Sequence, residues 1–317
     1  MPSDMQLSTD QPFDQNPAAV YLASLTTANS RRTMHQALNT IAFSLTGEAN
    51  AFACDWSMLR AQHTIAIRSW LVERYQAATV NKMLAALRGV LKAAWLLGTL
   101  PGDDYHKAVA VSSVKNDTLP AGREVASDEI AALLAVCRAD ETPAGRRDAA
   151  LIAVLYGAGL RRSEVTQLRR QDYTAAEGKL EVRGKGGKTR IAWLNKQVVT
   201  MLEPWLAARG AWSGALFCPI NKSGRIHQRH LTTQAVYYIL QKRSEEAETQ
   251  PFSPHDLRRT FVSHLLDAGA DIAVVSRMAG HANIQTTARY DRRSEEAKRQ
   301  AAELLEMRVP DDADDQI

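Results

Sequence analysis

The sequence predicts a mainly α chain in two domains, a helical bundle followed by an α+β domain whose only β structure is a small sheet or hairpin. Three observations predict it. At 317 residues the chain exceeds what one hydrophobic core usually serves. Apolar residues recur at helical spacing through both halves. Strand-like alternation is confined to residues 179–193, on either side of a glycine-rich turn.

Residues 1–15 are polar, include Pro2 and Pro12, and read as a flexible tail. Residues 16–111 form the first domain. Its clearest helix spans Thr79 to Leu97, where Val80, Met83, Leu84, Leu87, Val90, Leu91 and Ala94 make one stripe, Thr79 is the expected N-cap, and Gly98 and Pro101 end the pattern. Shorter helices are expected near Ala18 to Leu25, Ser30 to Leu45 and Ile65 to Tyr75. Residues 112–123 are polar, carry Pro120 and Gly122, and read as a linker. In the second domain, residues 124–308, Ser127 is the expected cap of a helix through Cys137, with Asp128 and Glu129 in its first turn. Further helices are expected over Arg147 to Tyr156 and Arg162 to Leu168. Lys179 to Arg183 and Thr189 to Trp193 then flank GKGGK, residues 184–188, as a hairpin. Helices resume at Lys196 and dominate to Met307, the last being amphipathic from Ser294. Residues 309–317 are an acidic tail.

Composition narrows the function classes. The 39 lysines and arginines face 35 acidic residues, four of which, Asp311, Asp312, Asp314 and Asp315, crowd the extreme C-terminus. The body is therefore more basic than the formal charge of +4, which favours a polyanionic partner. The apolar run Ala149 to Leu160 is well short of the ~18–20 residues that span a bilayer. With no apolar leader near the start, a cytoplasmic protein without a membrane partner is expected. Cys54, Cys137 and Cys218 are odd in number and lack CxxC spacing, so they read as buried small hydrophobes.

The chemistry-bearing residues cluster in the second domain. HDLRRT opens with His255 just after Pro254, a residue suited to a helix start. Helical spacing places His255 and Arg258 on one face, while Leu257, Phe261 and Leu265 form a separate apolar stripe. An imidazole beside a guanidinium suits a phosphate, since arginine donates paired hydrogen bonds and keeps its charge. Alone, such a pair is more often a capping or surface feature. Gly280-His281 and Tyr290 follow within one short segment. Core packing is the default reading of Tyr21, Tyr156, Tyr237 and Tyr238. Tyr290 differs in having Arg289, Arg292 and Arg293 beside it, and a phenol needs cations to become a nucleophile. Upstream, GLRRSE places Arg161 at a helix start, where pairing with Glu164 is the simpler reading, and Lys185 sits at the hairpin tip, where a solvated turn lysine is the commoner case. His227 and His230 lack zinc-site companions and read as part of a basic loop with Arg225 and Arg229.

Taken together these elements resemble the tyrosine recombinase, or phage integrase, family. GLRRSE, the GKGGK hairpin, HDLRRT, the GH pair and Tyr290 nine residues after that histidine occur in the family's order and approximate spacing. The resemblance covers residues 124–306 and, more loosely, 16–110. It implies that the first domain is the family's SAM-like, helical core-binding domain and the second its α+β catalytic domain. It further implies that Tyr290 attacks the scissile phosphate to form a 3′-phosphotyrosine, that Arg161 and Arg258 hold the nonbridging oxygens, that His281 adds a hydrogen bond, that His255 assists proton transfer, and that Lys185 protonates the departing 5′ oxygen. Neither metal nor ATP is implied. The implied partner is double-stranded DNA with an inverted-repeat core site, bound by a homotetramer at synapsis and by a monomer or dimer otherwise, with a second recombinase or accessory protein left open. Helices of the first domain would approach the DNA, and Arg31, Arg32, Lys82, Arg88 and Lys92, with Arg225 and Arg229 of the second domain, are the candidate backbone contacts. The C-terminal segment would dock on a neighbouring protomer. The resemblance leans toward integrases of mobile elements, acting in integration, excision or resolution. The alternatives are an Xer-type resolvase of chromosome or plasmid dimers, a noncatalytic DNA-binding relative, and a type IB topoisomerase.

Overall fold

The computed structural model describes residues 12–115, 122–184, 187, 189–291, 299, 302 and 303. The chain divides into two compact units, Met1–Thr118 and Leu119–Ile317. No helix among the described residues is long and apolar enough to cross a membrane.

The first unit is all helix: α1 (Pro17–Ser24), α2 (Ala28–Thr46), α3 (Ala61–Arg74), α4 (Ala77–Leu96) and α5 (Gly102–Val109). Helix α4 is central, burying Val80, Met83, Leu84, Leu87, Val90 and Leu91 together with Ala86, Ala93 and Ala94. These alanines widen its apolar stripe, so that α1, α2, α3 and α5 all pack on it. The helix starts and one added helix differ from the sequence-based expectation, with α2 beginning at Ala28. Helix α4 starts two residues early with Gln76 as its cap, and Thr79 lies inside the first turn, its N–H donating to the Gln76 carbonyl at 2.8 Å. Helix α3 also starts earlier, at Ala61. Pro101 not only ends one pattern but caps the unexpected α5, whose Asp103 and Asp104 in the first turn and Lys107 in the last suit the helix dipole.

The second unit contains α6 (Ser127–Ala139), α7 (Pro143–Gly157), α8 (Arg162–Gln167), β1 (Tyr173–Thr174), β2 (Lys179–Arg183), β3 (Thr189–Trp193), α9 (Lys196–Arg209), α10 (Thr233–Glu246), α11 (Pro254–Asp267), α12 (Ile272–Ala279) and α13 (Gln285–Ala288). The strands form one antiparallel sheet in the order β1-β2-β3, with Leu180 opposite Ala192 and Val182 opposite Arg190. Leu180, Val182 and Ala192 face the core, while Ile191 and Trp193 stay exposed. The two-residue β1 was too short to leave an alternating pattern. Helix α7 is the core helix, with every residue from Arg147 to Leu155 buried. Cys54, Cys137 and Cys218 are free and buried.

Ser127 is the first residue of α6 and not its cap; the Glu129 carboxylate takes the exposed Ala126 N–H instead, at 3.0 Å. Residues 210–232 carry no helix, so the expected run of helices from Lys196 is interrupted. Tyr238 is largely exposed and Tyr237 only half-buried, against the core reading of both. The described ends of the segment read as a linker are each bonded into a unit. Val114 exchanges hydrogen bonds with the Asn81 side chain, and Gly122 and Arg123 bond to Arg259 and Asp256 of α11. The remainder of that segment, residues 1–11, most of the helix expected from Ser294, and the acidic tail lie outside the described residues. Within that helix Arg299, Ala302 and Glu303 are helical.

Candidate active site

The site is assembled from four short pieces of chain. Arg161 caps α8 in extended conformation, immediately after Gly159-Leu160 turns the chain out of α7. His255 and Arg258 lie in the first turns of α11, started by Pro254 at its first position and by Ser253, whose N–H and hydroxyl both donate to the Asp256 carboxylate at 2.8 Å. His281 follows Gly280, the left-handed cap of α12. Tyr290 follows α13. The hairpin lysine, Lys185, lies outside the described residues, as do Arg292 and Arg293.

Two glycines set the spacing of the arginines. Gly159 and Gly280 have φ of +58° and +68°, where side chains are strained. A Cβ at 159 would overlap the Phe261 ring, and one at 280 would press on the Arg190 guanidinium. Their carbonyls accept crosswise: Arg258 Nη1 donates to Gly159 at 2.7 Å, and Arg161 Nη2 donates to Gly280 at 2.8 Å. Each arginine is thereby held by the chain segment that carries another member of the site.

Arg258 is 3% exposed, and its Nη2 is a buried nitrogen with no hydrogen-bond partner among the described residues. An unpartnered buried guanidinium nitrogen is costly, and it marks a place prepared for an anion. Arg258 also lines a cavity of about 480 Å³ together with Arg161, Arg162, Ser163, Tyr237 and His255 among others. Burial, and then the positive charge of Arg161, pushes Arg258 down to about 10, which still leaves it a cation at neutral pH. Burial followed by the charge of Arg258 lowers His255 below the ordinary imidazole range. His281 is pushed down to about 4 by burial and by the charges of Arg258 and Arg161. Both rings are therefore neutral near pH 7. His281 Nδ1 lies 2.7 Å from the Thr287 hydroxyl, so with that hydroxyl donating, Nε2 carries the proton and is the donor left for a ligand.

Arg161 does pair with Glu164, at 2.7 Å, as the simpler reading of the sequence had it; the pairing coexists with membership of the cluster. The carboxylate of Glu164 is buried, and burial alone would raise its pKa, but hydrogen bonds from Arg190 and Arg161 hold it low. Tyr290 is nearly buried, packed with Phe261, Val262, Val275 and Ala279. Of the three arginines that the sequence places beside it, only Arg289 is among the described residues. Arg289 is exposed, whereas the Arg259 guanidinium stands 5.5 Å from the centre of the Tyr290 ring, and Arg258 interacts with Tyr290 electrostatically. Glu164 was visible only as a salt-bridge partner, and Arg190 and Arg259 were missed as members of the site. Arg259 adjoins Arg258 in HDLRRT, a signal that was available; Arg190 meets Glu164 across twenty-six positions, a spacing without periodic signature.

Outside this cluster, Arg32, Lys82, Lys92, Arg225 and Arg229 are exposed. Arg31 donates to the Leu25 carbonyl at 2.8 Å, and Arg88 to the Val111 carbonyl at 2.6 Å, so these two are partly engaged in holding their own unit together. His227 is exposed and His230 bonds to the Thr166 carbonyl at 2.7 Å. Among the described residues no three His, Cys, Asp or Glu side chains gather into a metal-binding group.

The model of the phage integrase family matches residues 123–297. The tyrosine recombinase XerC of Proteus mirabilis is 34% identical over 248 residues, covering 74% of this chain and 75% of the relative. The tyrosine recombinase XerA of Thermococcus kodakarensis is 30% identical over 234 residues, covering 74% and 77%. Among solved structures, a Tn1549 transposon integrase in complex with transposon right end DNA superposes with a TM-score of 0.69 at 17% identity, covering 93% of this chain and 99% of that one. XerH recombinase bound to a palindromic difH substrate, a post-cleavage complex, gives 0.65 at 18% identity, covering 92% and 94%.

Proposed function

This chain belongs to the phage integrase family, and on that premise we propose that its arginine and histidine cluster cuts and rejoins DNA strands through Tyr290. The family chemistry is site-specific recombination by a tyrosine nucleophile. The observation that carries the assignment of residues is that Arg258, whose buried Nη2 has no hydrogen-bond partner among the described residues, lines one cavity with Arg161 and His255. Arg161 and Arg258 hold the nonbridging oxygens of the scissile phosphate and stabilise charge as it develops. His281 donates from Nε2 to the same phosphate. The Tyr290 oxygen bonds to phosphorus, its proton passing toward His255, and the P–O5′ bond breaks with Lys185 delivering a proton to the leaving oxygen. The phosphodiester energy is kept in the 3′-phosphotyrosine, so religation by an incoming 5′-hydroxyl proceeds without ATP, and the fixed cations supply the charge stabilisation for which other phosphoryl-transfer sites employ magnesium.

The partner is double-stranded DNA with an inverted-repeat core site, synapsed by four protomers, each gripping the backbone with Lys82, Lys92 and Arg32 of the first unit and Arg225 and Arg229 of the second. Integration, excision or resolution of a mobile element is the proposed outcome. Resolution of chromosome or plasmid dimers is the second reading, favoured by the Xer names of relatives that align over three-quarters of the chain. A nicked suicide DNA bearing the cognate site tests the chemistry. A covalent adduct formed by wild type in the presence of EDTA and lost in Tyr290→Phe supports it; tight site binding by wild type with no adduct would leave only a DNA-binding role.

A further inference from the structure

Arg190 lies on β3 with its side chain 15% exposed, and it does not line the cavity. Its guanidinium is used in three directions. Nη1 and Nη2 donate to the two Glu164 oxygens at 3.0 Å each, and Nε donates to the Met278 carbonyl at 3.1 Å. Glu164 also accepts from the Arg161 backbone N–H at 2.8 Å and from Arg161 Nη1 at 2.7 Å. Arg161 in turn donates to Gly280, two residues beyond Met278. The bonds close into a circuit: Arg190 to Glu164 to Arg161 to Gly280, and back along the chain to Met278 and Arg190.

Taking the cluster as a phosphodiester-cleaving centre, we propose that Arg190 is a positioning residue that fixes the Arg161 guanidinium relative to the His281 turn, through Glu164 on one side and the Met278 carbonyl on the other. A buried carboxylate shared by two arginines is electrically satisfied without drawing either fully onto itself. With Arg190 removed, Glu164 has Arg161 as the one cation left in this circuit, and Arg161 is pulled toward it and away from the phosphate. The fork of Arg190 matters as well as its charge, because lysine cannot serve both carboxylate oxygens and the carbonyl from one plane.

The test compares Arg190→Lys with wild type on three suicide substrates: the native phosphate, a methylphosphonate that replaces one nonbridging oxygen and so removes the charge Arg161 serves, and a 5′-bridging phosphorothiolate whose thiolate leaves without a proton. On the native phosphate, adduct formation is expected to slow by about 10- to 100-fold, the scale on which outer hydrogen-bond partners of an active site act, with site binding in gel shifts unchanged. On the methylphosphonate the defect is expected to shrink at least tenfold. Rates on all three come from one preparation, so a misfolded fraction cancels from their ratio, and Arg190→Gln provides the same comparison if the lysine variant does not fold. An equal loss on all three substrates would reduce Arg190 to a fold-stabilising residue and overturn the proposal. Rescue by the phosphorothiolate alone would overturn it too, placing the effect at the leaving group. No adduct from wild type on the native phosphate would instead defeat the reading of the site itself, and the positioning role with it.

Discussion

The two units bury different things. Among its described residues the first unit buries only Asn16 and Thr64 beyond its apolar core, and its cations stay at or near the surface. The second unit buries Arg147, Asp148, Glu164, Asp172, Arg209, Arg243, Asp256, Arg258 and Arg259. Some of these are scaffolding: Arg243 joins Asp140 at 2.6 Å, Asp148 at 2.9 Å and Glu246 at 2.7 Å, tying α6, α7 and α10. Burying a charge costs desolvation that a surface cation never incurs, and the return is a fixed direction for each hydrogen bond. Under the proposed function the contrast has a simple sense: gripping a polyanion needs charge in roughly the right place, whereas cutting it needs charge at a set distance.

The comparison breaks most visibly at Arg258. Arg258→Ala is expected to slow adduct formation by about 10²- to 10³-fold, the cost of losing one preorganised donor, with site affinity within a few-fold of wild type; a gel shift beside a suicide-substrate time course measures both. A weakened grip with intact cleavage at saturating protein would erase the distinction. Next in size is an apolar test of the first unit. Leu87→Ala removes a fully buried side chain from α4 and is expected to cost about 3 kcal/mol, read from the shift in denaturant midpoint.

Smaller still is the effect of surface charge. Replacing Lys82 and Lys92 together by glutamine is expected to reduce the slope of log affinity against log salt by about 0.9 for each phosphate no longer neutralised, without changing the rate of cleavage once DNA is saturated. Arg88 is left out of this pair because its bond to Val111 would confuse grip with stability. The smallest effect is a pH dependence. His281 has a folded pKa near 4 against an ordinary 6.5, so between these values the unfolded chain binds more protons and the folded state loses stability as pH falls. His281→Asn is expected to flatten the stability profile between pH 6.5 and pH 4, and an NMR titration of the free protein should find this ring still neutral at pH 5.5. A midpoint near 6.5 would show that neither burial nor the neighbouring cations hold the ring neutral.

The same contrast explains what could be read in advance. Periodic burial announces itself, so the α4 stripe from Val80 to Ala94 and the strands Lys179–Arg183 and Thr189–Trp193 were legible in the sequence, the strands to the residue. Caps were not: Gln76 starts α4 with no side-chain cap at all, and at Ala126 the Glu129 carboxylate takes the backbone N–H, so neither start uses the hydroxyl that Thr79 or Ser127 advertised. Helix α5 carried its signals, but they were masked by Pro101, which both stops and starts a helix. In the site, the motif residues Arg161, His255 and His281 sit at helix ends, and Arg258 stands one turn into α11 beside His255. Arg190 was invisible since nothing local distinguishes a strand arginine that meets a distant carboxylate from one that meets water.

The crossed anchoring of Arg161 and Arg258 has an implication for how this site tolerates change. Both anchors are backbone carbonyls, which every amino acid possesses, so no side-chain functional group is required at either acceptor. What positions 159 and 280 demand is a left-handed torsion and an empty space where a Cβ would stand. The most exacting specification in the cluster is thus achiral: at these two places the protein needs the single residue that has no handedness of its own.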